Sequence, residues 1–257
     1  MDLTVDFLKT VFIKTKLKIH YQQILLDSIS QYQQIFTAPS IDELYNYEVY
    51  EQLGDATAND AVVWYCFNRY PQLNCPGGVK ILARLKIKYV SSESWSEIAD
   101  ELGFWPYIKA IPEERSNLEK KQKLLEDVFE AFIGLTKYIL DRKFSPGVGN
   151  GIIYTFIETL FSTKDISLQS EDLFDAKTKL KELFDLPNVR ESFGILKYCH
   201  KDGRTELFLE KNGQKSLYGT GYGNTHVAQE KDAANQALKS LKEKGYSRDK
   251  KFQLFCD

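Results

Sequence analysis

The chain has 257 residues, enough for one large domain or two modest ones with a buried core, and its 43% hydrophobic and 27% charged content is ordinary for a globular protein. No run approaches the ~18 apolar residues of a membrane span, the N-terminus has no signal-peptide pattern, and Cys66, Cys75, Cys199 and Cys256 are scattered without a C-x-x-C pair. These features argue against a zinc site, a disulfide framework and a membrane partner, and set the expectation of a reducing compartment, cytoplasmic or nuclear. The net charge of −2 hides an asymmetry: residues 1–186 carry 21 Lys+Arg against 27 Asp+Glu, whereas residues 187–251 carry 13 against 8. A basic module on an acidic body suits an enzyme that acts on a polyanion.

Residues 1–186 read as almost wholly helical. Leu53, Ala56, Val63, Trp64 and Phe67 mark a predicted core stripe on a helix that stops at Tyr70-Pro71. Ser94 and Glu97 resemble a capping box that opens a short helix ending at Leu102-Gly103. Apolar residues recur at close to the helical period between Leu118 and Leu140, and Ser145-Pro-Gly-Val-Gly-Asn-Gly151 is a turn-rich break before a helix over Ile152–Phe161. Asp175–Leu186 is a charged amphipathic helix that Pro187-Asn188 ends. Phe193–Cys199, Thr205–Glu210 and Lys215–Tyr218 then read as strands, separated by the hairpin signals Lys201-Asp-Gly203 and Asn212-Gly213. Gly219-Thr-Gly-Tyr-Gly-Asn224 leads into a last helix, Thr225–Lys244, with Ala233, Ala234, Ala237 and Leu241 on its inner face. The expected architecture is an all-α domain over residues 1–165, a linker 166–174, a small α+β domain of order α-β-β-β-α over 175–247, and a tail 248–257.

Two short acidic clusters carry the chemistry. Glu48, Glu51 and Asp55 are three and four residues apart, so they share one face of a predicted helix; Asp127 and Glu130 share another some seventy residues later. Carboxylates gathered in an apolar setting resist desolvation and repel one another unless a cation neutralises them. An oxygen-rich site without His or Cys suits Mg²⁺, with Mn²⁺ able to substitute. The clusters therefore read as two halves of one divalent-metal site.

Asn46-Tyr-Glu48-Val-Tyr-Glu51-Gln-Leu-Gly54-Asp55 resembles the signature motif of ribonuclease III, and Leu125-Glu-Asp127-Val-Phe-Glu130-Ala-Phe-Ile-Gly134 resembles that family's second acidic motif. Phe36-Thr-Ala-Pro-Ser40, Arg69-Tyr-Pro71, Lys88-Tyr-Val-Ser91 and Leu102-Gly103 fall in the family's order, and Asp175-Ala-Lys177-Thr178-Lys-Leu180 looks like the start of its double-stranded-RNA-binding domain. The resemblance covers roughly residues 30–245. It implies a helical endonuclease domain followed by a double-stranded-RNA-binding-like domain, assembled as a homodimer that hydrolyses double-stranded RNA to 5′-phosphate and 3′-hydroxyl ends. It also implies that Glu51, Asp55, Asp127 and Glu130 are catalytic metal-binding carboxylates, with Glu48 a further metal-site residue. Two Mg²⁺ bridged by acidic side chains can activate a water near neutral pH and stabilise the leaving 3′-oxygen.

Some features depart from the family pattern. The stretch Gln72-Leu-Asn-Cys-Pro-Gly-Gly78 lacks the acidic residue usual after the Arg-Tyr-Pro segment, and Gln52 replaces an apolar residue of the signature. The family's last helix begins with two or three Lys/Arg, where this chain has Asn224-Thr-His226-Val-Ala-Gln-Glu230-Lys231. The RNA-binding candidates are Lys177, Thr178, Lys179, Asn224, Thr225, His226 and Lys231, while His20 and His200 read as ordinary surface residues. With the fixed positive charge mostly gone, the second domain is expected to bind RNA weakly in isolation. The rival reading is a non-catalytic double-stranded-RNA-binding or ribosome-associated structural protein of the same fold, which would not require the metal carboxylates.

Overall fold

A computed structural model describes residues 2–168 and 173–247. The chain divides into two compact units, one running to Ile166 and the other beginning at Ser167. The predicted tail 248–257 and positions 169–172 of the predicted linker lie outside the described residues.

The first unit is all helical. Its main elements are α1 (Val5–Lys14), α2 (Ile19–Leu26), α3 (Ile29–Ile35), α4 (Glu48–Arg69), α5 (Val79–Tyr89), α6 (Ser92–Leu102), α7 (Pro112–Ser116), α8 (Leu118–Lys143) and α9 (Val148–Phe161). α8 is the axis of the unit, packed against α4, α6 and α9, because it is apolar over much of its circumference from Leu124 to Leu140. Aromatic side chains fill the space around it: Trp95 lies 5.3 Å from Phe129 and Phe104 lies 5.3 Å from Phe132 between ring centroids. A buried hydrogen bond between Tyr32 Oη and Thr136 Oγ1, 2.7 Å, fixes α3 on the same axis. No helix among the described residues is long and apolar enough to cross a membrane.

Several local expectations change. The predicted core stripe of α4 points the wrong way: Val63, Trp64 and Phe67 are exposed, and the buried face is Gly54, Thr57, Ala58, Ala61, Val62, Tyr65 and Cys66. The reason is how closely α4 approaches α8. A Cβ on Gly54 would lie 1.7 Å from the Glu130 carbonyl oxygen, and one on Gly134 would lie 2.0 Å from that of Tyr50, so small residues must face the crossing. The cap of α6 is Ser91 rather than Ser94; its hydroxyl accepts the Ser94 amide at 3.3 Å, and Gly103 at φ +86° closes the helix as expected. Starting one turn earlier brings Trp95 inside the helix, where its ring is fully buried. α9 likewise begins at Val148, inside the predicted break, after Gly147 at φ +96°.

The second unit contains α10 (Ala176–Phe184), α11 (Pro187–Phe193), β1 (Ile195–Lys201), β2 (Arg204–Lys211), β3 (Gln214–Tyr222) and α12 (His226–Glu243). The sheet is antiparallel in the order β1-β2-β3, with Ile195 opposite Glu210, Arg204 opposite Tyr222 and a register shift at Leu207/Phe208. Asn212 and Gly213, both at positive φ, make the β2–β3 hairpin that the Asn-Gly pair predicts. Pro187 does more than stop α10: as the first residue of α11 it starts a short helix that claims Phe193 from the predicted first strand. Gly219 and Gly221 belong to β3 rather than to a loop, because α12 lies directly on them. A Cβ at either would fall within 2.2 Å of the carbonyl oxygen of Ala233 or Gln229. Leu180, Leu183, Leu207, Leu209, Ala233, Ala234, Ala237 and Leu241 form this unit's core. The observed fold class is the expected one, an all-helical unit followed by a small α+β unit with a three-stranded sheet.

Candidate metal centre

The Gly54–Gly134 crossing explains why the two acidic motifs meet. With no side chain between the backbones, residues one turn away on each helix fall opposite one another. Glu51 precedes Gly54 by three residues on α4, and Asp127 precedes Glu130 by three on α8, so all three carboxylates converge. Their ligand oxygens lie within 4.8 Å of one another. Upstream, the buried Asn46 turns the chain into α4: its Oδ1 accepts the Glu48 amide at 2.9 Å, and its Nδ2 donates to the Asp42 carbonyl at 3.0 Å.

Asp127 and Glu130 are strongly desolvated, at 3% and 5% exposure, and Glu51 is half-buried. Two carboxylates at such separations repel by about 4 kcal/mol at an effective dielectric of 20. Burial, reinforced by Asp127, Glu126 and Glu48, pushes Glu51 up to about 7. Burial again, then the charges of Glu126, Asp55 and Asp127, pushes Glu130 up to about 8. Asp127 is also raised, burial outweighing its two partners. Those partners are Lys123, whose Nζ lies 2.6 Å from Oδ1, and Tyr47, whose hydroxyl donates to Oδ2 at 3.1 Å. Lys123 Nζ also lies 3.4 Å from Glu126 Oε2. Burial disfavours the ammonium, but Asp127, Glu126 and Glu51 together hold it charged.

Of the five predicted metal-site carboxylates, Glu51, Asp127 and Glu130 are brought together and two flank them. Asp55 is outside the trio, its Oδ1 accepting from Asn59 Nδ2 at 2.8 Å, yet its charge reaches Glu130. Glu48 is exposed in the first turn of α4 and acts on Glu51 only through its charge. Sequence reasoning left Lys123, Glu126 and Tyr47 out of the site. Lys123 and Glu126 had a readable signal, since they stand four and one residues before Asp127. Tyr47 had none, because its contact spans eighty residues and depends on the helix crossing. Hard oxygen donors with surplus negative charge and a single neighbouring ammonium fit a divalent cation such as Mg²⁺ or Mn²⁺.

The RNA-binding candidates of the second unit have mixed placements. Lys177 is ion-paired with Glu230 and lies over the Tyr198 ring, 5.5 Å from its centroid. The Thr178 hydroxyl donates to Asp175, the cap of α10, at 2.8 Å, and Thr225 caps α12 by accepting the Ala228 amide at 3.1 Å. Asn224 and His226 are exposed, while Lys179 and Lys231 are half-buried. The His226 ring lies edge-on to His200, 4.8 Å between centroids, and His200 in turn contacts Thr205 Oγ1 at 2.9 Å and Glu230 at 3.4 Å. His200 is thus part of a polar network on this face.

The ribonuclease III domain family matches residues 48–137, the span that holds α4 and the carboxylate-bearing part of α8. A protein of Invertebrate iridescent virus 6, provisionally named ribonuclease 3, is 35% identical over 233 residues, covering 84% of this chain and 78% of the relative. A protein of Frog virus 3 (isolate Goorha) with the same provisional name is 36% identical over 233 residues, covering 90% of this chain but 61% of that longer relative. The solved nuclease domain of ribonuclease III from Campylobacter jejuni superposes with a TM-score of 0.47 at 23% identity, covering 61% of this chain and 97% of the domain. On the strength of the identity and coverage shared with the iridescent-virus protein, the chain belongs to the ribonuclease III family.

Proposed function

We propose that this protein is a metal-dependent endoribonuclease that hydrolyses phosphodiester bonds in double-stranded RNA, leaving 5′-phosphate and 3′-hydroxyl ends. The observation that carries the reading is the convergence of Glu51, Asp127 and Glu130, three carboxylates from two motifs gathered around a single ammonium. Glu51, Asp127 and Glu130 would hold Mg²⁺ or Mn²⁺, with Asp55 and Glu48 adding negative charge at the edge. Such a cation supplies Lewis acidity at the phosphate and an activated water at neutral pH. The chain's own contribution is to bring the carboxylates together at the α4–α8 crossing, keep them dry, and balance part of their charge with Lys123.

The second unit would contribute duplex binding through the face that carries Lys177, Thr178, Lys179, Asn224, Thr225, His226 and Lys231. Recognition of an A-form duplex relies on shape, phosphate and 2′-hydroxyl contacts, which such a polar face can make. A homodimer is supported by the apolar side chains that α4 turns to solvent, Val49, Trp64 and Phe67, the first at 77% exposure. A self-complementary two-fold contact would cover them. The decisive test is incubation with long end-labelled duplex RNA, with and without Mg²⁺, and sizing of products at nucleotide resolution. Discrete short duplexes bearing 5′-phosphates are expected only with metal. Intact RNA under both Mg²⁺ and Mn²⁺ would sink the reading in favour of a non-catalytic role.

A further inference from the structure

We infer that Tyr47 is a positioning residue of the metal centre, locking the Asp127 carboxylate in the orientation that receives a divalent cation. The inference rests on the metal-nuclease reading above. Tyr47 stands immediately before α4, its side chain turned inward to 7% exposure, and its hydroxyl reaches across the helix crossing to Asp127 Oδ2 at 3.1 Å. The other oxygen, Oδ1, faces Lys123 Nζ at 2.6 Å.

The two partners differ in kind. The phenol is a buried rigid ring with a single O–H to donate, and it has one direction in which to donate it. Lys123 is a flexible four-carbon stem whose side chain is 60% exposed, so its ammonium can move aside where a divalent cation takes over the charge it balances. An ionised carboxylate has about four lone-pair sites. The Tyr47 bond occupies one on Oδ2 and restricts rotation of the group, so that Oδ1 is the oxygen turned to Lys123 and to a cation that displaces it. Partners that orient a metal ligand in this way are worth about ten- to a hundredfold in metal affinity. A buried tyrosine that had merely found an acceptor would influence folding and leave metal affinity untouched.

The test uses the full chain and Mn²⁺ alone as the probe, titrated calorimetrically and by the electron-paramagnetic-resonance signal of free Mn²⁺. Tyr47→Phe, which deletes only the hydroxyl, is expected to weaken Mn²⁺ binding roughly tenfold. It should raise the Mg²⁺ concentration for half-maximal cleavage by a similar factor and leave KM for duplex RNA unchanged. In an Asp127→Asn background the same change should alter Mn²⁺ affinity no further, because Tyr47 acts through that carboxylate. A Tyr47→Phe protein with wild-type Mn²⁺ affinity and Mg²⁺ requirement overturns the inference, whatever its melting temperature, and leaves the nuclease reading standing. A wild-type chain that binds Mn²⁺ in a Tyr47-dependent way yet cleaves no duplex overturns the nuclease reading and leaves the positioning role standing. Wild-type protein that binds no Mn²⁺ overturns both.

Discussion

The helical unit gathers Glu51, Glu126, Asp127 and Glu130 around one ammonium, Lys123, whereas the α+β unit sets its charges against one another. There Lys177 faces Glu230, Lys197 faces Glu210, and Lys201 and Arg204 both face Glu206. The carboxylates of Glu206 and Glu210 are held below their usual range, chiefly by hydrogen bonds from Lys201 and Lys197. Those of Glu51 and Glu130 are pushed well above it by burial and crowding. In the first unit the carboxylates crowd one another, and in the second several acidic groups are each paired with a cation.

The sharpest way to break this contrast is Glu130→Gln. If the acidic site is held together against its own repulsion, the substitution should cut Mg²⁺-dependent cleavage by at least about a hundredfold, the scale set by losing a metal-site interaction. It should also raise the thermal midpoint of the metal-free protein measured above pH 8, where the buried Glu130 carboxylate is ionised. Cleavage assays and differential scanning calorimetry in EDTA read the two effects, and a lower midpoint in EDTA would refute the crowding account.

A second, smaller effect follows from pH. Glu51 and Glu130 titrate at about 7 and about 8 in the fold against an ordinary value of 4.5. Between about 4.5 and 8 the folded chain therefore keeps protons that the unfolded chain has released, so metal-free stability should fall as pH rises through that window. Added Mg²⁺ should reverse the trend by favouring the ionised carboxylates, with affinity rising with pH as protons are displaced. Urea unfolding at pH 5, 6.5 and 8, with and without Mg²⁺, measures this; a metal-free stability that rises over the range would contradict the site's electrostatics.

The smallest expected change lies in the other unit. Glu230→Gln would release Lys177 from its ion pair and ease the negative charge beside His200. Binding of duplex RNA should strengthen several-fold, and the slope of log affinity against log salt should steepen by about one phosphate contact. Unchanged affinity and slope would show that Lys177 does not reach the duplex.

Much of this was legible in advance, for reasons that also explain the misreadings. The face of α8 that holds Asp127 and Glu130 was readable because helical spacing alone sets which residues share it. The core face of α4 was misread because periodicity favours large apolar residues such as Trp64 and Phe67, while a close helix crossing selects Gly54, Ala58 and Ala61. The same spacing argument grouped Glu48 and Asp55 with Glu51; Glu51 joins the close trio, Asp55 acts on Glu130 through its charge, and Glu48 acts on Glu51. In the second unit, Asn212-Gly213 announced its turn directly. The glycines of β3 looked like a loop because their purpose, admitting α12, is a tertiary fact. Tyr47 belongs to the same class: its role exists only once two distant segments touch.

Backbone contact at Gly54 and Gly134 has a consequence for how such a protein can change over generations of mutation. The approach of the two helices that carry the carboxylates is set by main chain resting on main chain at these two positions. A side chain at either glycine would push the two helices, and the carboxylates they carry, apart. The two glycines thus act as the fixed datum from which the site is measured.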